Sequence, residues 1–301
     1  MNLLVIYNPH AASGKARKLL PHILSYIKQA GLNATLLTTE YSGHAVELVS
    51  HKNLNEFDAV VASGGDGTLF EVLNGYQKNP AKDKPPLGLI PNGTGNAFMK
   101  ELRLHRADWR KAIDIIARNQ TRSIDIGRFE TEGNSYHFIN IVGMGFVSDV
   151  AESAVSFKWM GNAAYTVATL RNLVKLQSQK MIIEVDGKKF ERQGVFVEVA
   201  NSTYTGTTFL MAPKAKLDDG LLDVIILNDI TKFRMLKLFR SIYDGSHIHY
   251  DEVEYLQAKS IKIIEEKPGQ LIPDGEVLGK TPVAFECLPN AIEFLWDPDL
   301  L

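Results

Sequence analysis

The chain has 301 residues, a single cysteine, no surplus of charge of either sign and no long apolar run. Cys287 is that lone cysteine, so no internal disulfide can staple the fold and a reducing, cytoplasmic setting is expected. Lysine and arginine number 33 against 35 aspartates and glutamates, a formal net charge of −2, which excludes a strongly basic nucleic-acid binder. No apolar stretch approaches the roughly 18 residues of a membrane span. The opening apolar run, residues 3–7, is too short for a signal peptide and lacks a basic leader. Any membrane contact is therefore expected to be peripheral. Internal repeats and low-complexity segments are absent as well. What is present is an ordinary globular mixture, 45% hydrophobic and 23% charged, which rules out disordered and collagen-like chains. The length exceeds what one core usually serves, about 250–300 residues at most, so two domains are expected.

The balanced charge is unevenly spread. No acid precedes Glu40, a stretch holding Lys15, Arg17, Lys18 and Lys28. None lies between Glu152 and Glu184, where Lys158, Arg171, Lys175 and Lys180 occur. Between Asp229 and Asp244 the only charges are Lys232, Arg234, Lys237 and Arg240. Such runs are either solvated helix faces balanced by spatial neighbours or surfaces attracted to phosphate.

Short apolar runs at 3–7, 34–38, 58–63 and 87–90 read as strands. They alternate with helical patterns over 15–30, over 43–51, from the 64–68 loop to about 76 and after 91–96, which implies βαβ units and a parallel sheet covered on both faces. This predicts a Rossmann-like, three-layer α/β domain over residues 1–123. Beyond it the texture changes. Strand-like segments at 135–141, 181–185, 194–200, 222–227 and 260–265, several alternating in polarity, predict a β-rich, sandwich-like domain over 124–285. Asp186-Gly187 marks a hairpin, and helical stretches interrupt the strands near 159–177 and 231–244. The tail within 286–301, strand-like over 291–296, has the option of joining either domain, including a return to the first.

The chemistry concentrates in loops. Ser63-Gly64-Gly65-Asp66-Gly67-Thr68 follows an apolar strand and opens a helix, the setting in which glycines and helical N–H groups cradle a polyphosphate. Asp66 would repel phosphate, so it implies a metal ion or a positioning role; the plain alternative is a tight, capped turn. Pro91-Asn92-Gly93-Thr94-Gly95-Asn96 stands in the same place after the next strand. The first loop, residues 8–15, ends like a P-loop at Gly14-Lys15, but Pro9 occupies the first glycine's place and Ala16 replaces the magnesium-binding hydroxyl residue. Asp218-Asp219-Gly220 and Asp274-Gly275 read by themselves as turns, although Glu276 sets a second carboxylate beside the latter.

Taken in order, Asn8-Pro9 with Ser13-Gly14, residues 64–68, residues 91–96, Pro213-Lys214-Ala215, residues 218–223 and Asp274-Gly275-Glu276 resemble the diacylglycerol kinase catalytic-domain family, in particular its soluble bacterial lipid kinases. The resemblance runs through nearly the whole chain. It implies ATP- and Mg2+-dependent phosphorylation of a lipid hydroxyl, on diacylglycerol or a related lipid of the membrane. It further implies that Asn8, Gly64, Gly65, Asp66, Gly67, Thr68, Leu69, Phe70 and Thr94 bind ATP, with Thr38 (or its neighbour Thr39) at the end of the second strand. Asp219, with the carbonyls of Lys216 and Leu221, would hold Mg2+, an oxygen-only set suited to a hard cation. Asp274 and Glu276 would lie at the catalytic centre, either of them the base, with Glu276 the one usually given that role. A homodimer is compatible with the resemblance.

A substrate drawn from a bilayer requires docking, for which the basic segments near 159–180 and 232–240 are candidates. The first also carries Trp159, Tyr165, Leu170, Leu173, Val174 and Leu176, whose plain alternative is packing on the β-rich domain. One departure from the family is Thr207-Thr208 after Gly206, where many members continue a run of glycines; it bears on the acceptor pocket. Two rival readings stand: an NAD kinase, which shares a Gly-Gly-Asp-Gly loop and a two-domain plan, and a catalytically silent lipid- or nucleotide-binding regulator.

Overall fold

The structure is a computed structural model that describes residues 1–105, 107–146, 148, 171–172, 176–206, 208–297 and 299. The chain divides into two compact units, Met1–Ile126 with Asn290–Leu301 and Gly127–Pro289.

The first unit is α/β. Strands β1 (Asn2–Tyr7), β2 (Asn33–Thr38), β3 (Ala59–Gly64) and β4 (Leu87–Pro91) are parallel in the order β4-β3-β1-β2. Between them run α1 (Leu20–Gln29), α2 (His44–Ser50) and α3 (Asp66–Lys78), and α4 (Trp109–Arg118) follows β4. Leu3, Val5 and Tyr7 of β1 share a core with Ile23 and Ile27 of α1 and with Trp109, Ile113 and Ile116 of α4. Leu4 and Ile6 point to the other face by the period-two rule and are equally buried. Both faces are therefore covered, which is why these strands read as unbroken apolar runs.

Two helices differ from the sequence reading. The 15–30 pattern breaks into a 3-10 turn, Lys15–Lys18, and α1, because Pro21 cannot donate inside a helix and is accommodated in its first turn. Among the described residues between 96 and the start of α4 there is only the 3-10 turn Phe98–Lys100.

The second unit is β-rich and antiparallel. The chain enters it along β5 (Thr121–Thr131), continues through β6 (Asn134–Phe138), β7 (Ile141–Gly145), β8 (Gln179–Val185), β9 (Lys188–Ala200), β10 (Leu222–Asn228), helix α5 (Lys232–Ser241), β11 (Val253–Ala258), β12 (Ser260–Glu265) and β13 (Leu271–Pro273), and leaves along β14 (Val283–Leu295). The last residues of β14 lie beside β4 in parallel, Phe294 opposite Leu87. Strand β9 serves two sets of partners. Its first half pairs with β8, and from Gly194 onward it pairs with β10 on one side and β7 on the other. The β8–β9 hairpin turns on Asp186 and Gly187, both at positive φ (46° and 79°), as a two-residue type I′ turn requires. The strand predicted over 135–141 is interrupted at residues 139–140, whose N–H groups are taken by a distant carboxylate described below. The predicted 159–177 helix falls mostly outside the described residues, as does Thr207.

A core position of β9 breaks the apolar pattern. Glu198 of β9 lies opposite Gly143 of β7 and Ile225 of β10, buried, with Oε2 unpartnered. Burial pushes its carboxyl up to about 8 from an ordinary 4.5. The stability contributed by the neutral form is thus fully present below about 4.5 and is lost as pH rises through about 8. Thermal unfolding followed from about pH 6 to about pH 9 should show a falling midpoint that Glu198→Gln flattens. Parallel profiles for the two proteins would remove Glu198 as the cause.

Candidate functional site

In an open parallel sheet the order β4-β3-β1-β2 reverses direction between β1 and β3, and ligands of such sheets bind beyond the strand ends at that point. The loops following β1, β3 and β4 meet there. Asn8 donates its backbone N–H to the carbonyl of Ser63 and its Nδ2 to Thr68 Oγ1 at 3.0 Å. The third loop folds onto the second: the N–H groups of Asn92 and Gly93 donate to the Gly64 carbonyl at 3.1 and 3.0 Å, and Asn92 Nδ2 reaches Ser63 Oγ at 3.1 Å.

Asp66 completes this junction. Both of its oxygens accept the Ala97 N–H at 2.8 Å, and Oδ1 also takes the Phe98 N–H at 3.4 Å. Burial pushes its carboxyl up to about 6, against the pull of those two donors. Through these bonds Asp66 ties the loop after β4 to the start of α3. The glycines are explained by the same contact. A Cβ on Gly64 would fall 2.2 Å from Thr68 Oγ1, one on Gly65 would fall 2.8 Å from the Gly95 carbonyl, and one on Gly93 would fall 2.4 Å from Gly65 Cα. Gly67 and Thr68 occupy the first turn of α3, where N–H groups have no partner within the helix and are available to an anion.

The remaining members of this set divide by exposure. Thr94 is exposed at the tip of its loop and Thr38 is exposed at the end of β2, whereas Thr39 is buried and donates its N–H to the Tyr7 carbonyl. Leu69 and Phe70 belong to the buried side of α3, so their side chains are core and any contact with a ligand falls to their backbone. Glu71, unremarked in the sequence, accepts the N–H groups of Gly43 and Ala45 and so anchors the start of α2.

In the second unit the two acids after β13 do different things. Asp274 and Gly275 form a tight turn, both at positive φ (48° and 89°). The Asp274 carboxylate accepts the N–H groups of Ile139, Asn140 and Ile141 at 3.3, 3.1 and 3.1 Å, while its own N–H donates to the Ile141 carbonyl. It is a clamp on the β6–β7 connection. Glu276 and Val277 stand exposed on the same turn, Val277 by 51%.

Asp219 lies exposed in the turn before β10, its Oδ1 accepting the Leu221 N–H at 3.1 Å, with Gly220 at φ 73°. Close by, Asp223 is fully buried and neither of its oxygens meets ordinary hydrogen-bond geometry, while the side chains of Tyr255 and Gln257 favour its charged form. Burial first, and then the Asp219 charge, pushes the Asp223 carboxyl up to about 6. Orphaned buried oxygens beside an exposed carboxylate are the donor chemistry a hard cation takes, so the residues present fit Mg2+. Lys216, which would supply a carbonyl, is exposed in the same loop. No cluster of three or more His, Cys, Asp or Glu side chains occurs among the described residues, so such a site would depend on backbone oxygens.

Comparison with known proteins finds two family models in series along the chain. Residues 2–129 match the family model of the diacylglycerol kinase catalytic domain, and residues 140–296 match that of the YegS C-terminal NAD kinase beta sandwich-like domain. A diacylglycerol kinase of Bacillus subtilis is 33% identical over 93% of this chain and 91% of its own length. One from Staphylococcus haemolyticus is 31% identical over 98% and 88%. A solved structure from Bacillus anthracis, provisionally called a diacylglycerol kinase, superposes with a TM-score of 0.81 at 27% identity and covers all of this chain and 96% of that one. Two domain models in series, with relatives aligned along almost the full length, leave one conclusion: the chain belongs to the diacylglycerol kinase family of lipid kinases.

Proposed function

We propose that the chain transfers the γ-phosphoryl group of ATP, with Mg2+, to the hydroxyl of diacylglycerol or a related lipid. The observation that carries this reading is the junction of the loops after β1, β3 and β4, tied by Asp66 and packed glycine on glycine at the strand ends. Such a junction suits a polyphosphate, because the backbone approaches closely and helical N–H groups face the charge. In this reading Asn8, Thr38, Gly64, Gly65, Gly67, Thr68 and Thr94, with the backbone of Leu69 and Phe70, hold the nucleotide, and Asp66 positions them. Asp219 with the carbonyls of Lys216 and Leu221 holds Mg2+, which when bound neutralises negative charge in its neighbourhood. Glu276, the exposed carboxylate of its turn, takes the proton from the attacking lipid hydroxyl, and Asp274 holds that turn in place.

Phosphoryl transfer asks the protein mainly for positioning and charge compensation, so the reading needs no covalent intermediate. No helix among the described residues is long and apolar enough to cross a membrane, and the lipid is met at a bilayer surface.

The test is a labelled-ATP assay over a lipid panel in mixed micelles, with Asp66→Ala and Glu276→Ala as controls. Product is expected on a glycerolipid, with loss in both variants and on chelation of the divalent cation. Full activity in both variants refutes the residue roles, and no product on any lipid favours a silent regulator. The second family description names an NAD kinase-like sandwich, so NAD belongs in the panel; phosphorylation of NAD alone would decide for that reading.

A further inference from the structure

We propose that helix α5 is the element that docks this protein on an anionic bilayer, inserting Phe233, Leu236 and Tyr243 while Lys237 and Arg240 meet lipid phosphates. Five large apolar side chains are exposed among the described residues, and three of them belong to this helix and the turn after it: Phe233 (71%), Leu236 (37%) and Tyr243 (47%). They are not scattered. Positions 233, 236, 237, 240 and 243 recur at three- and four-residue steps and share one face of the helix. The opposite face, with Met235, Leu238 and Ile242, is sunk in the core of the second unit, so this face is already outermost.

The charges decide what covers it. No acid occurs between Asp229 and Asp244. Arg234 is occupied, held by Glu252 at 2.8 Å and stacked over Tyr250. Lys237 sits over the Phe233 ring at 5.2 Å, and Arg240 is exposed on the same stripe. Apolar side chains interleaved with long cations of one sign match a headgroup boundary, where rings enter the acyl region and ammonium or guanidinium groups snorkel to phosphate. The face is also firmly mounted. Phe209, Phe239 and Tyr243 form a ring cluster with centroids 5.0–6.1 Å apart, and the Leu210 N–H donates to the Ile242 carbonyl. The loop that departs from the family's glycine run at Thr208 is thereby joined to α5 through Phe209, which gives the docking element a fixed link to the loop assigned to the acceptor side.

This inference rests on the lipid kinase reading for its biological sense but is measured separately from it. Full-length protein is sedimented with phosphatidylcholine vesicles, with and without phosphatidylglycerol. Wild type should bind the anionic vesicles. Phe233→Ser/Leu236→Ser should bind them at least about tenfold more weakly, and Lys237→Glu/Arg240→Glu should lose the preference for phosphatidylglycerol. All of these side chains are exposed, so both variants should unfold at the wild-type temperature and phosphorylate monomeric dioctanoylglycerol, which needs no bilayer, within about twofold of wild type. Vesicle binding that is absent in wild type, or unaltered in both variants, overturns the proposal. So does a wild type that self-associates through this face, shown by variants that become monomeric while vesicle binding stays as it was. A protein that docks as described but phosphorylates no lipid leaves the docking face standing and refutes the kinase reading.

Discussion

Replacing Glu276 by glutamine should lower kcat on the order of 10²- to 10⁴-fold, the span general bases contribute, while the dissociation constant for ATP stays put. The side chain is exposed, and the turn that carries it is secured by its neighbours, so the variant should fold as the wild type does. Asp274→Asn should behave differently. That carboxylate accepts three backbone N–H groups from residues 133–135 positions earlier in the chain. An amide keeps one acceptor oxygen and turns an NH₂ toward donors, so about 1–3 kcal/mol of stability should go, visible as a lower unfolding temperature. Two acids two residues apart thus separate by readout: one loses turnover with its fold intact, the other loses stability first. Rates of Glu276→Gln within tenfold of wild type would exclude it as the base and return the role to another group.

Gly93→Ala should weaken ATP binding by on the order of 10–100-fold, from an overpacking cost of about 1–3 kcal/mol at about 1.4 kcal/mol per tenfold. The added carbon would lie 2.4 Å from Gly65 Cα and 2.7 Å from Gly65 N, backbone atoms that cannot turn aside. The two loops must then separate, which stretches the bonds from Asn92 and Gly93 to the Gly64 carbonyl and from the Ala97 N–H to the Asp66 carboxylate. Gly95→Ala is the useful contrast. Its new carbon meets only Asp66 Oδ2, at an ordinary 3.6 Å, so it should lose far less. Titration calorimetry with ATP measures both, and equal losses would mean that the glycines serve something other than the contact between loops.

Much of the first unit was legible because its signals are contiguous. Apolar runs of strand length, each followed by a loop and a helix, lie within a few residues of one another, and the α/β arrangement follows. The hairpin at Asp186-Gly187 was readable for the same reason, since a type I′ turn is decided by the two residues that occupy it. Where the reading slipped, the cause was local too: Pro21 lies inside the 15–30 pattern, and its missing N–H moves the start of α1 to Leu20.

The roles of the acids were not legible. Asp66 reads as a metal or positioning residue, and its partners Ala97 and Phe98 lie 31 and 32 residues on, out of sight of the local sequence. Asp274 reads as a turn former or a catalytic acid, and only the fold shows that it also accepts the N–H groups of residues 139–141. On α5 the four cations were countable, but that Arg234 is consumed by Glu252 while Phe233 stands in solvent was not. Glu198 stands out in the apolar run 194–200, but that it is buried with Oε2 unpartnered was settled only by β7 and β10 on either side of it.

The sequence by itself determined the order of strands, loops and helices, the glycine positions and the family they resemble, because backbone propensity and turn chemistry act over a few residues. Only the tertiary structure decided which carboxylate clamps, which stands open and which is buried, because charge and hydrogen bonding are settled by partners far away in the chain. The exposure of Phe233, Leu236 and Tyr243 on and beside α5, the face proposed to meet a lipid surface, belongs to the second kind, because what packs against a helix is not written in its own residues.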